Sequence, residues 1–246
     1  MLKIFFESFK ITNKSIILVT PLIVFCTLFG VYYNYLIEAT DTIPKHIFAI
    51  VAVFVVVSGL LGSWLYTVKK GLVLAKQVYL FDKERNKALL SIFPYLLKGF
   101  GRLFLPFSGF IALNILIFTT IFSAVAFLTT TYPELKVHTN LIWIIFFYLV
   151  TFFTILWIPE IVYNEKNALY ALCNSLIKVF THFKESFILY LFVLGISTAI
   201  IALLLKYIFA HPIISFALIM VSYYVILYVV VLLFTYYEKK FLKSEE

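Results

Sequence analysis

Charge is scarce in this chain. Asp, Glu, Lys and Arg make up 13% of its 246 residues, where a soluble domain carries about 25%. Cysteine is scarcer still. Cys26 and Cys173 lie in dissimilar surroundings and show no metal-site spacing, so neither a disulfide framework nor a thiolate metal centre is expected. The histidines are His46, His138, His182 and His211, and no two are three or four residues apart. H-E-x-x-H, G-x-S-x-G and G-x-x-x-x-G-K are missing, so the sequence offers no recognisable zinc, nucleophile or phosphate-loop chemistry. No cofactor and no metal are expected. There is no domain-sized polar region and no low-complexity linker.

What is abundant is apolar surface. The chain is 63% hydrophobic and 20% aromatic, more than one water-soluble core can hide, so the bilayer must be its solvent. Six runs are free of Asp, Glu, Lys and Arg: residues 15–37, 46–68, 103–133, 137–159, 186–205 and 207–237. Each meets the need for about 20 apolar residues to cross a bilayer as a helix. A lipid-exposed backbone must satisfy its own hydrogen bonds, which favours helices; the alternating pattern of a barrel is missing. The expected fold is an all-α polytopic membrane bundle of six transmembrane helices, occupying residues 1–246 as one membrane domain. The first run is too long for a signal peptide and lacks a small-residue cleavage site, so it reads as an uncleaved anchor.

The basic residues are unevenly placed. Seventeen of the twenty Lys and Arg fall before the first run, after the last, or in the second and fourth connectors; only Lys45, Lys136 and Lys206 lie on the opposite side. This asymmetry places both termini in the cytoplasm, in the cell inner or plasma membrane. The net charge of +8 is then an orientation signal. Nucleic acid is not an expected partner, because these charges flank spans and form no folded basic face. Membrane lipids are expected partners, with an unidentified membrane or cytoplasmic protein as a further one.

Three polar stripes repeat one spacing. They are Lys3, Glu7, Lys10 and Lys14; Lys87, Ser91, Pro94 and Lys98; and Asn174, Lys178, Thr181 and Glu185. Each has apolar residues opposite and each precedes an apolar run. They predict three cytoplasmic interfacial amphipathic helices, and a threefold helical-hairpin repeat over 1–82, 83–165 and 166–246. Asn164 is expected to cap the third of these helices, with Glu165 in its first turn. Pro94, followed by Gly99 and Gly101, reads as a bend into the third run, with a hinge as the alternative. The pairs Ser58 with Gly62, Gly59 with Ser63, Ser108 with Ala112 and Gly195 with Ala199 predict close helix packing. Asn114, the most polar deep residue, is expected to bond across to a neighbouring helix.

Glu160 ends the fourth run, three residues after Trp157. It reads as a boundary residue that faces headgroups or pairs with a base from the second connector; the alternative is a functional acid. The residues expected to contact lipid headgroups or a partner are Lys69, Lys70, Arg85, Lys98, Arg102, Glu160, Glu165 and Lys178. No catalytic residue is assigned.

The stretch "IPEIVYNEKNALYALCNSLIKVFTHFKESFILYLFVLG", with Glu165, Ala168, Leu169 and Ser175 at fixed steps, resembles a broad group of bacterial six-span membrane proteins of unknown function. The group includes the membrane domain attached to some glycerophosphodiester phosphodiesterases. The opening "SFKITNKSIILVTPLIV" is similar to the start of that group. The resemblance implies the six-span layout and supplies no catalytic residue; the phosphodiesterase domain is absent from this sequence, so its activity does not carry over. The leading expectation is a non-enzymatic membrane protein organising lipid or a protein partner at the cytoplasmic face. A permease subunit, coupling through 83–100, is the alternative. A lipid-modifying enzyme would need Glu160, Glu165 and Arg102 to converge.

With Cys26 and Cys173 replaced by serine, a single cysteine at position 85 is expected to resist a membrane-impermeant maleimide in intact cells and to react after permeabilisation. Strong labelling from outside would reverse the topology.

Overall fold

The computed structural model describes residues 1–39, 43–77, 79, 81–164, 167–207 and 212–242, and every regular element among them is helical. Five stretches are long and apolar enough to cross a bilayer: Ile50–Ala75, Tyr95–Thr131, Glu134–Asn164, Phe183–Tyr207 and Pro212–Leu242. The first run behaves differently. Helix α1 (Leu2–Lys14) and the following stretch Ile16–Tyr32 meet at 76°, and pass as a sixth crossing only when taken together. The molecule is an all-α polytopic bundle of five to six such stretches.

The bend falls at Ser15. Its hydroxyl donates back to the Ile11 carbonyl at 2.8 Å, and the Trp64 indole donates to the Leu18 carbonyl at 2.9 Å. Trp64 lies on α3 (Ile43–Ala75), so the turn is tied to the bundle between α1 and α2 (Val19–Ala39). On α1, the bundle-facing residues are Ile4, Ser8, Ile11 and Thr12. Leu2, Phe6 and Phe9 stay 48–73% exposed. With the Lys3–Glu7–Lys10–Lys14 stripe, α1 therefore has three faces where the stripe alone suggested two.

The second stripe is not one helix. α4 (Asp82–Leu90) stops, a turn covers 91–94, and α5 (Tyr95–Thr131) begins. Pro94 has no N–H to donate to the Leu90 carbonyl, so the ladder cannot continue through it. The helix is interrupted at Pro94, while Gly99 and Gly101 lie inside continuous α5. Gly99 has a packing reason: a Cβ there would lie 2.8 Å from the Tyr66 Cβ and 3.0 Å from the Ser63 Cα on α3.

That contact belongs to the most extensive helix pair in the fold, α3 with α5. A Cβ on Gly62 would lie 3.0 Å from the Leu103 Cβ, and Gly59 lies against the Phe100 ring. Two of the expected small-residue pairs thus do build a packing face. The other two do not. Gly195 and Ala199 are exposed, and nothing comes within 4 Å of a Cβ on Gly195. Beside Ser108 and Ala112, the close approach falls to Gly109, where a Cβ would lie 3.0 Å from that of Ala168. Asn114 also departs from expectation, donating to the Phe110 carbonyl of its own helix at 2.8 Å. A carbonyl one turn back is always within reach of such a side chain, whereas a partner on another helix is not.

The fourth run is broken. α6 (Thr139–Phe153) ends, residues 154–156 form a turn, and α7 (Trp157–Asn164) restarts. Pro159 explains the position: it cannot donate to the Ile155 carbonyl, and its ring suits the first turn of a helix. Asn167, not Asn164, caps α8 (Ala168–Thr181), accepting from the Tyr170 amide at 2.8 Å. Glu165 lies outside the described residues. α8 lays Ala168, Ala171, Ser175 and Val179 against the bundle and leaves Leu169, Tyr170, Ile177 and Phe180 47–63% exposed. Helices α9 (Phe183–Tyr207) and α10 (Pro212–Tyr237) complete the bundle, and α1 packs along α10.

Gly99→Leu is expected to force α3 and α5 apart and destabilise the bundle by about 1–3 kcal/mol. Gly195→Leu should leave it unchanged. Thermal unfolding of the detergent-purified variants tests this, and equal losses would mean that the α3–α5 contact is not close.

Candidate functional site

Glu160 lies on α7, past the turn at 154–156, and points into the protein. Its side chain is 0% exposed, and bare burial of a carboxylate is strongly unfavourable. The structure answers with four donors. Oε2 accepts from Lys178 Nζ at 2.6 Å and from the Tyr237 hydroxyl at 2.5 Å. Oε1 accepts from Asn164 Nδ2, one turn on along α7, and from Asn174 Nδ2 at 3.2 Å. An ionised carboxylate has about four acceptor positions, and all are taken.

The donors are themselves satisfied. Tyr237 O–H donates to Glu160 while its oxygen accepts from Lys178 Nζ at 2.5 Å and Asn164 Nδ2 at 3.1 Å. The Lys178 ammonium also sits 4.5 Å from the Tyr237 ring centre and 5.2 Å from that of Phe241, within cation–π range. The cluster lines a cleft of about 310 Å³ together with Ile177, Phe241 and Leu242. Glu160 and Asn164 come from α7, Asn174 and Lys178 from α8, and Tyr237 from the end of α10.

Around this centre the end of α10 gathers the other helices. Glu238 accepts from the Tyr163 hydroxyl at 2.6 Å and pairs with Lys76, just past the end of α3. Lys239 pairs with Glu7 of α1, and Lys240 with Glu185 of α9 at 2.7 Å. Each of these partly exposed pairs is worth little alone, roughly 0–1 kcal/mol. Together they join α1, α7, α9 and the residue just past α3 to one turn, Glu238–Leu242.

The sequence-predicted contact residues divide into groups. Glu160 and Lys178 meet directly. Glu160 neither faces headgroups nor takes its base from the second connector: Lys178 of the fourth connector reaches it first, because α8 is laid across α7. Lys69 donates to the Val162 carbonyl at 2.8 Å, a cation on the carbonyl end of α7. Lys69 and Lys70 also lie 6.0 and 5.7 Å from the Tyr66 ring centre, and Arg102 reaches the Tyr66 hydroxyl at 3.5 Å. Lys98 lies over Tyr95 of its own helix, and Arg85 pairs with Asp82 at 2.7 Å. Tyr237, Asn164 and Asn174 were not singled out as site residues. Spacing held half the signal: Asn164 follows Glu160, and Lys178 follows Asn174, by one helical turn. Nothing local marks Tyr237 as their partner. Among the described residues no three His, Cys, Asp or Glu side chains are grouped to hold a metal.

Removing the cation should do more harm than removing the acid. Lys178→Met leaves an enclosed carboxylate without its counter-ion, a loss of about 3–5 kcal/mol. Glu160→Gln leaves Lys178, 24% exposed, able to turn toward water, so its effect should be smaller. The double variant should recover part of the Lys178→Met loss. Thermal unfolding measures all three; strictly additive losses would mean that the pair is not coupled. In comparisons with known proteins, no family model, curated protein or solved structure matches this chain.

Proposed function

We propose that the protein works at the basic end of its bundle, on the cytoplasmic side of the cell membrane. There it acts as a non-enzymatic membrane protein that organises lipid or a protein partner. The observation that carries this reading is the three-faced build of α1 and α8. Each helix packs one face on the bundle, turns a second apolar face outward and carries a polar, lysine-bearing stripe between them. Such a helix suits the headgroup layer, with its apolar face in acyl chains; the lysines of α1 lie near phosphates, while Lys178 of α8 is turned inward to Glu160.

The Glu160 cluster supports a supporting rather than a reactive role. A carboxylate whose four acceptor positions are filled has none left for a substrate proton, and its donors come from the elements that hold α8 in place. A second reading, a permease subunit coupled through 83–100, draws on Leu90, Tyr95 and Leu97 of that stretch, 39–83% exposed around the turn.

A photo-crosslinking residue at Ile177, on the outward face of α8, is expected to capture phospholipid or one membrane protein in native membranes. Neither an enriched lipid nor a partner at that position would overturn the proposal. Co-purification of an ATPase that is lost on Leu97→Glu would favour the permease reading instead.

A further inference from the structure

A second cavity lies apart from the Glu160 cleft. It is a groove of about 570 Å³ between α5 and the start of α8. Its long wall is one row of α5, with Gly101, Leu105, Gly109 and Leu113 recurring every fourth residue. Twelve residues at 1.5 Å each make that row about 18 Å long. Asn167 and Ala168 of α8 close the far side. The walls are mostly apolar, and Arg102, whose guanidinium also reaches the Tyr66 hydroxyl at 3.5 Å, stands at one end.

The order of these groups along the helix decides what fits. Arg102 is the last charged residue before the uncharged run 103–133, so the guanidinium stands where the apolar stretch begins and the row runs inward from it. Charge at the mouth and apolar wall beyond are the two halves of an amphiphile, in the same order. Arginine presents a planar fork of donors that matches phosphate bidentately.

Gly101 adds an independent sign. A glycine inside a helix is less favourable than alanine by about 1 kcal/mol. At Gly62, Gly99 and Gly109 the missing side chain admits another helix; at Gly101 an added Cβ would meet nothing within 4 Å. Gly30 and Gly195 are open as well, but neither lines this groove. At Gly101 the missing side chain is the width of the groove.

We propose that this groove holds one anionic phospholipid, with its phosphate on Arg102 and an acyl chain along the Leu105–Leu113 row. The inference rests on the lipid-organising reading above and gives it one site. It also gives α8 a second attachment, since Ala168 touches both the groove and Gly109.

Native mass spectrometry of the detergent-purified full chain, with phosphatidylglycerol or phosphatidylcholine added, tests it. The parent should retain one phosphatidylglycerol adduct in preference to phosphatidylcholine. Arg102→Gln should weaken that adduct about tenfold, the scale of losing a hydrogen bond to a charged group, and weaken phosphatidylcholine less, because its choline cation already offsets the phosphate charge. Gly101→Leu should weaken both by filling the groove; if it loses its fold, Arg102→Gln, on an exposed side chain, carries the test. An adduct that survives either folded variant at parental strength overturns the site. Lipid co-extracted into nanodiscs separates the two claims. Anionic enrichment that persists beside such an insensitive adduct removes the site and leaves the lipid-organising reading standing. No enriched lipid in the parent, together with an uncrosslinked Ile177, removes that reading itself.

Discussion

The buried Glu160 carboxylate constrains everything at the basic end of this protein. A charge away from water must find its full set of donors or be expelled, and the donors come from three helices. Asn164 is on the same short helix, Asn174 and Lys178 are on α8, and Tyr237 is on α10. Satisfying one carboxylate therefore fixes the rotation of α7, the lie of α8 across it and the reach of α10. Pro159 interrupts the backbone ladder where the fourth run turns at 154–156. The pairs around Glu238, Lys239 and Lys240 then draw α1, α9 and the residue just past α3 to the same turn.

A second principle governs the membrane-facing length. Lipid is as apolar as leucine, so helices gain little from hiding leucine against one another, and close packing has to supply the attraction. The chain concentrates that packing in α3 and α5, where Gly59, Gly62 and Gly99 remove side chains from the contact. Much of the outer surface is left bare. On α6, Leu141, Ile144, Ile145 and Phe147 are 48–55% exposed, which only a hydrocarbon surround makes acceptable. A closely packed pair, helices that face lipid, and a polar knot at one end are complementary answers to the same solvent.

Helices α1 and α8 show why a two-faced reading of a stripe is incomplete. In α8 the large apolar residues Leu169, Ile177 and Phe180 point outward while Ala168, Ala171 and Ser175 meet the bundle. Small residues approach closely and large ones dissolve in lipid, the reverse of a soluble amphipathic helix. Hydrophobicity alone ranks the outward face as the one to bury. Helicity before the third and fifth runs was legible from spacing, as was packing at Gly59 and Gly62. The end of α4 was legible only in part, since Pro94 marks a break without saying how many residues the turn takes. Asn164 was the expected cap, but it belongs to the last turn of α7, and Asn167, directly before Ala168, places its side-chain oxygen on the Tyr170 amide instead.

By itself the sequence determined the solvent, the helical class and the places where apolar runs begin and end. Those follow from composition along a line, because each residue's transfer into lipid depends mainly on its own side chain. Tertiary structure decided which side of each helix faces which neighbour, that the first run bends by 76°, and that Glu160 turns inward to Lys178 and Tyr237. Those outcomes depend on approach distances between residues 18 and 77 positions apart, and hydropathy along the chain carries no record of such distances.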